Sequence, residues 1–250
     1  MRNLKLILSY DGTDFAGWQV QPDAVTVQGT LASGIGRLTG EKVLPQGSGR
    51  TDAGVHALAQ VVTFTTDSPI PAANFGKALN DILPPSVRVI GAEEVPADFH
   101  ARKSASGKTY RYRIYQAAIC PPFLARYVWH YPYPLDESAM MLAARQVEGE
   151  HDFTSFAAVD PERGSESCPW SNRRTVFSSA WERAGEEFLY TVSGSGFLHH
   201  MVRNLVGTFI LVGKGTLKLE DVVRILEARN RAAAGATAPA SGLYLVKVEY

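Results

Sequence analysis

Hydrophobic periodicity spells one six-element order twice along this chain. Leu4 to Tyr10 alternates as a strand does, and Thr26 stands as an N-cap ahead of Val27, Leu31, Ile35 and Leu38 on one helix face. Val43 to Gln46 predicts a short strand and the β-branched run Leu58 to Thr66 a longer one. Pro71 opens a helix with Phe75, Leu79 and Ile82 on one side, and Val87 to Val95 is the next strand. The order is β-α-β-β-α-β, and it recurs from Thr109. Thr109 to Gln116 is a strand, Asp136 caps a helix that runs to Glu148 with Gly149 as its stop, and Thr175–Arg183 and Glu187–Val192 form a hairpin about Ala184–Gly185. A helix from Leu198 to Val212, a shorter one capped by Thr216 and a strand from Leu243 to Tyr250 complete the repeat. Two such units in tandem predict an α+β fold: two ferredoxin-like (βαββαβ) halves joined into one mainly antiparallel sheet, with helices behind and a central cleft. The small residues Ser104 to Gly107 divide residues 1–104 from 105–250. Ala232 to Ser241, another run of small residues, reads as a mobile or late-packing loop.

Composition narrows the class. The chain has 250 residues, 45% of them apolar and 20% charged, which excludes disorder, collagen and coiled coil. Cys120 and Cys168 allow at most one disulfide and cannot supply a four-cysteine zinc site, so a reduced, cytoplasmic setting is expected. No apolar run approaches the roughly 18 residues of a membrane span, and the opening MRNLKLILSYDG is too short in apolar character for a signal peptide. Lys and Arg number 25 against 25 Asp and Glu, so a nucleic-acid partner would need a local basic patch. One stretch qualifies. From Phe99 to Leu135 there is no acidic residue, but there are six cations and nine aromatics. Cations hold phosphates and flat rings stack on bases. The same alternation also describes a strand with a buried aromatic face and a solvated arginine face.

The turn GSGRTDAGVH at Gly47 to His56 admits four readings. Gly47 and Gly49 suit a phosphate loop, although the Gly-Lys-Ser/Thr ending of that motif is missing. Asp52, His56, His199 and His200 are metal ligands by type, without the spacing of a known metal motif. Asp52 in an Asx turn beside a solvated Arg50 is the structural alternative. The fourth reading is a carboxylate nucleophile. An aspartate of ordinary pKa, about 3.9, is ionised at neutral pH and needs no base to activate it. It does need a cation when a substrate covers it, and Arg50 or the Arg203 of HHMVRN can supply one.

The motifs resemble those of the TruA family of tRNA pseudouridine synthases over nearly the whole chain. They run YDGTDFAGWQVQ (Tyr10–Gln21), TVQGTL (Thr26–Leu31), GRTDAGVHA (Gly49–Ala57), DFHAR (Asp98–Arg102), KTYRYRIY (Lys108–Tyr115), DFTSFA (Asp152–Ala157), GFLHHMVRNLVGT (Gly196–Thr208) and the closing ATAPASGLYLVKVEY. The resemblance implies isomerisation of uridine to pseudouridine at positions 38, 39 and 40 of the tRNA anticodon stem-loop, by an Asp nucleophile and base flipping. It implies no metal, no small-molecule cofactor, a homodimer and a central RNA-binding cleft. By the same resemblance Asp52 is the nucleophile, Tyr110 stacks on the target uracil, Arg203 pairs with the catalytic carboxylate, and Arg50 props the site when the nucleotide is flipped. Attack at C1′ and attack at C6 of uracil both remain open. The stretch CPWSNRRTV at Cys168 to Val176 departs from the family pattern, so Arg173 and Arg174 receive no role. Two rivals remain: a non-catalytic RNA-binding module, and a small-molecule enzyme holding a phosphate on the Gly47 turn.

Overall fold

The computed structural model describes residues 1–159 and 171–250, so the Cys168–Trp170 part of the divergent stretch lies outside the described residues. The chain divides into two compact units, Met1–Lys108 with Tyr244–Tyr250, and Thr109–Leu243.

Alternation builds the first unit. Leu4, Leu6 and Leu8 of β1 (Arg2–Tyr10) are fully buried and alternate with the half-buried Lys5, Ile7 and Ser9. Helix α1 (Val27–Thr39) starts where Thr26 Oγ1 accepts the Gly29 N–H at 3.2 Å, buries Val27, Leu31 and Ile35, and stops at Gly40, whose φ of 75° only glycine adopts readily. Strand β2 (Gln46–Gly47) is later and shorter than the expected Val43–Gln46, because Pro45 has no N–H to give a ladder. Strand β3 (His56–Thr66) begins two residues before Leu58. Helix α2 (Ala72–Ile82) follows Pro71 and buries Phe75 and Leu79, Phe75 lying 5.6 Å from the Phe64 ring. β4 (Val87–Val95) follows. β1 is central and antiparallel to both neighbours, Leu4 facing Phe64 on β3 and Glu94 on β4, while β2 borders β3 at Val62 and Thr63. The order β4-β1-β3-β2 is that of a ferredoxin-like unit.

The second unit starts with β5 (Gly107–Tyr115), followed by β6 (Trp129–His130), a two-residue strand parallel to it. Helix α3 (Glu137–Arg145) has Asp136 as its cap, its Oδ1 accepting the Ala139 N–H at 2.9 Å. It ends earlier than expected. Gly149 does not stop it but opens strand β7 (Gly149–Asp152) with φ 96°. Strands β8 (Arg173–Ala184) and β9 (Glu187–Gly194) form the expected hairpin, turned at Gly185 with φ 60°. The sheet order is β5-β9-β8-β7. Helix α4 (Met201–Gly213) starts three residues after Leu198, because His200 takes φ 59°, a left-handed conformation no helix can pass through. Helix α5 (Leu219–Ala228) is capped at Lys218 rather than Thr216: the Lys218 N–H donates to the Asp221 carboxylate at 2.8 Å. Trp181, Phe188, Tyr190 and Phe209 form the core, with Trp181 stacked on Phe188 at 4.6 Å.

The last strand, β10 (Leu243–Glu249), belongs to the first unit. It runs parallel to β3, Tyr244 opposite His56 and Leu245 opposite Ala57. The fold is thus α+β with mainly antiparallel pairing. Among the described residues no helix is long and apolar enough to cross a membrane.

Candidate active site

Asp52 sits on a tight turn whose backbone geometry follows from its sequence. The Val55 N–H donates to the Asp52 carbonyl at 3.1 Å, and Gly54, at the third position of that turn, has φ 77°. A side chain is strained there, so the Gly of TDAG is a conformational requirement. Asp52 is half-buried, whereas Arg50 and Ala53 are exposed.

The loop Asp11–Val25 of the YDGTDFAGW motif holds this turn from one side. The Trp18 N–H donates to the Thr51 carbonyl at 3.0 Å and the Gly54 N–H to the Phe15 carbonyl at 3.3 Å. Two glycines allow the approach. A Cβ on Gly12 would lie 1.9 Å from the Val55 carbonyl oxygen, and one on Gly17 (φ 92°) 2.7 Å from that of Thr51. On the other side the Ser48 hydroxyl donates to Gln60 Oε1 at 2.6 Å, and Gln60 Nε2 donates to the Gly49 carbonyl at 2.8 Å. The Tyr10 hydroxyl is hydrogen-bonded to Thr51 Oγ1 at 2.8 Å. Burial, opposed by the hydrogen bonds from Thr51 and Gln60, pushes this phenol up to about 12, so it stays protonated at neutral pH. The Lys108 ammonium comes within 2.9 Å of where a Cβ on Gly49 would stand, which packs the lysine of KTYRYR on the turn. Tyr10, Ser48, Gln60 and Lys108 were not singled out from sequence. Tyr10, Ser48 and Lys108 lie inside quoted motifs, whereas Gln60 lies beyond GRTDAGVHA and is identified by its hydrogen bonds to Ser48 and Gly49.

His56, a metal-ligand candidate by type, has structural work. Its Nδ1 accepts the Gly12 N–H at 3.1 Å and lies 3.3 Å from the Asp11 carboxylate. Its ring stacks on Tyr244 at 4.8 Å.

Tyr110 and Arg203 belong to the second unit. Tyr110, on β5, is only 8% exposed and meets the edge of Phe197 at 5.0 Å. Arg203 lies in the first turn of α4. Its Nε donates to the Ala238 carbonyl at 2.8 Å, and the Ala238 N–H donates back to the Arg203 carbonyl at 3.2 Å. Its charge also reaches Tyr112, opposing the burial that raises that phenol's pKa. His199 and His200 precede α4 rather than lying on it, and His199 Nδ1 donates to the Val159 carbonyl at 3.1 Å. Residues 232–241 are not a loose loop. A Cβ on Gly207 would meet the Ala236 carbonyl oxygen at 1.8 Å, the Gly235 N–H donates to Thr208 Oγ1 at 2.9 Å, and the Tyr112 hydroxyl donates to the Pro239 carbonyl at 2.7 Å. Small residues are needed here because the segment lies directly on α4.

The basic and aromatic stretch divides its duties. Tyr112 and Ile114 are fully buried. Arg113 grips Glu187 through both ends of its guanidinium, at 2.7 and 2.6 Å, and so carries little net charge toward a phosphate. Arg111 Nε donates to Thr191 Oγ1 at 3.4 Å. Arg173, which received no role, pairs with Glu150 across β7 and β8 at 2.8 Å.

A family model described as tRNA pseudouridine synthase matches residues 6–102 and 143–250. The chain is 52% identical over 250 residues to "tRNA pseudouridine synthase A" of Solibacter usitatus, covering all of both chains. It is 47% identical to the protein of that name from Moorella thermoacetica, covering 99% of each, and 45% identical to that of Acetivibrio thermocellus, covering all of both. A solved chain titled "Crystal Structure of a Cbf5-Nop10-Gar1 Complex" aligns with 96% of this chain and 57% of its own length, at TM-score 0.37 and 12% identity, too distant a likeness to bear on the fold. With the GRTDAGVH turn intact and matches of this length around it, the chain belongs to the tRNA pseudouridine synthase family.

Proposed function

We infer that this chain is an isomerase converting uridine to pseudouridine in tRNA, acting at positions 38, 39 and 40 of the anticodon stem-loop with Asp52 as its nucleophile. The observation that carries the reading is the Asp52 turn: an aspartate at the apex of a loop braced from both sides, in a chain of this family. Bracing of that kind fits a carboxylate that must meet a sugar or base in one orientation.

The target base leaves its stack before Asp52 reaches it. Flipping costs a few kcal/mol, and stacking on an aromatic ring returns about 1–3 kcal/mol. Tyr110 serves as that ring once Phe197 yields its edge contact. The N1–C1′ bond breaks, the base turns within the pocket, the C5–C1′ bond forms as the bond to Asp52 is released, and the C5 hydrogen leaves as a proton while N1 takes one up, so the product is an isomer of the substrate. Attack by Asp52 at C1′ or at C6 satisfies the same balance. Arg203 pairs with the Asp52 carboxylate and keeps it ionised beneath the substrate, and Arg50 props the space the base vacates. The reaction takes place in the cytoplasm on a homodimer and calls on no metal or small-molecule cofactor.

The test uses tRNA labelled with tritium at uridine C5, from which isomerisation releases the label. Asp52→Asn is expected to bind tRNA with wild-type affinity and to release no tritium. Release near the wild-type rate removes Asp52 from the nucleophile role.

A further inference from the structure

We propose that Asn204 and Thr237 are positioning residues for Arg203, a reading that rests on the catalytic role given to Arg203 above. Asn204 is fully buried one residue beyond Arg203 on α4. Its amide orientation follows from its partners. The Phe156 carbonyl can only accept, so the Asn204 atom 2.7 Å from it is the donor Nδ2. The Arg231 guanidinium can only donate, so the atom 2.9 Å from its Nη2 is Oδ1. The same oxygen accepts the Thr237 hydroxyl at 2.7 Å, which fills both of its lone pairs.

One buried amide therefore ties α4 to Phe156 on one side and to the segment Arg231–Thr237 on the other. Thr237 precedes Ala238, whose carbonyl takes Arg203 Nε and whose N–H returns to the Arg203 carbonyl. Arg231 reinforces the link, its Nη2 also donating to Thr237 Oγ1 at 3.2 Å. A guanidinium held at Nε by one carbonyl has the direction of that N–H fixed, which restricts where its Nη groups can point. The position of Ala238 thus orients the Nη edge with which Arg203 would address a carboxylate, and Asn204 with Thr237 fixes the position of Ala238. A buried apolar residue would pack at position 204 equally well if packing were its only task; three aimed hydrogen bonds specify a register between helix and segment.

Thr237→Val keeps the shape and removes the hydroxyl, and Thr237→Ser restores it. Tritium release under saturating tRNA gives kcat, and its dependence on tRNA concentration gives KM. Thr237→Val is expected to lower kcat about tenfold, the equivalent of one lost hydrogen bond at the transition state, with KM unchanged and Thr237→Ser near wild type. The decisive comparison adds Thr237→Val to Arg203→Lys. If Thr237 acts through Arg203, the second change costs nothing further in kcat; a full tenfold additional loss overturns the proposal. Wild-type kcat in Thr237→Val overturns it as well. Asn204→Asp, which sets a carboxylate oxygen against the Phe156 carbonyl, provides a second route. It is expected to lower kcat in the wild-type background but not in Arg203→Lys, and an equal loss in both counts against the inference. Wild-type kcat in Arg203→Lys, by contrast, refutes the catalytic role of Arg203 itself.

Discussion

Substituting Gly12 by alanine tests how the nucleophile is held. The new Cβ would stand 1.9 Å from the Val55 carbonyl oxygen and 2.6 Å from its carbon, where real Cβ atoms keep at least 3.0 Å. The two backbones must part by about 1.1 Å, and neither is loose. The Gly12 N–H donates to His56 and its carbonyl accepts from Phe15, while the Val55 N–H donates to the carbonyl of Asp52 itself. A displaced Val55 drags Asp52 with it. A shift of about 1 Å at a reacting group can cost about 100-fold in rate, or about 2.7 kcal/mol of transition-state stabilisation. Gly12→Ala is therefore expected to lower kcat for tritium release about 100-fold while changing KM for tRNA by less than about threefold, since no group that meets the RNA surface has been removed. Single-turnover release separates chemistry from product release, and near-UV circular dichroism verifies the fold. A folded variant with kcat within about threefold of wild type would refute the reasoning, because the close approach would then not be what places the carboxylate.

Three stability measurements address other parts of the fold. Tyr10→Phe removes the hydrogen bond to Thr51, worth about 1 kcal/mol, and is expected to lower Tm by about 2–4 °C at neutral pH. The folded pKa of Tyr10 is raised from 10.0 to about 12, so its contribution is whole below pH 10 and fades toward pH 12, and melting curves of the two proteins should converge over that range. Asp152 works in the opposite direction. The Thr154 hydroxyl on its Oδ1, at 2.6 Å, holds its carboxyl below the ordinary carboxylate range, so it stabilises above that range and loses its effect as pH falls through the folded value. Urea unfolding should find Asp152→Asn about 1 kcal/mol less stable at pH 7, with the difference closing below pH 3.8. Phe209→Ala empties a site bounded by Trp181 and Tyr190, with ring centroids 6.3 and 5.3 Å away, and should cost about 3–5 kcal/mol by the same assay; a loss below about 1 kcal/mol would mean the ring is not a core element.

The first unit is legible wherever its elements are long enough to show a period, which the two-residue β2 is not. Leu4, Leu6 and Leu8 alternate, and Thr26 and Gly40 bracket one amphipathic helix. The second unit was read less well wherever an element is short or a boundary depends on backbone conformation. Strand β6 has two residues and β7 four, too few for alternation to register. Nothing about a histidine announces φ 59°, so the start of α4 was placed too early. Residues 232–241 admit both a mobile and a packed reading because small residues are what a flexible loop and close packing on a helix both require; the facing glycines, 207 and 235, decide for packing. At the site, the motif residues Arg50, Asp52, Tyr110 and Arg203 were nameable by resemblance. Their supports were not, since Gln60 on Gly49 and Ala238 on Arg203 join positions that no local pattern connects.

The pairing of Tyr244 with His56 has a bearing on biosynthesis. During translation the stretch that carries Asp52 leaves the ribosome well before the strand that flanks it and the ring that stacks on its histidine. A nascent chain can form β1, β3 and β4 but must wait for Tyr244 and Leu245 to border β3 at His56. A chain interrupted just before Tyr244 would thus keep Arg50, Asp52, Tyr110 and Arg203 and lack the strand beside the nucleophile turn, so the border of that turn is completed only after the second unit has been made.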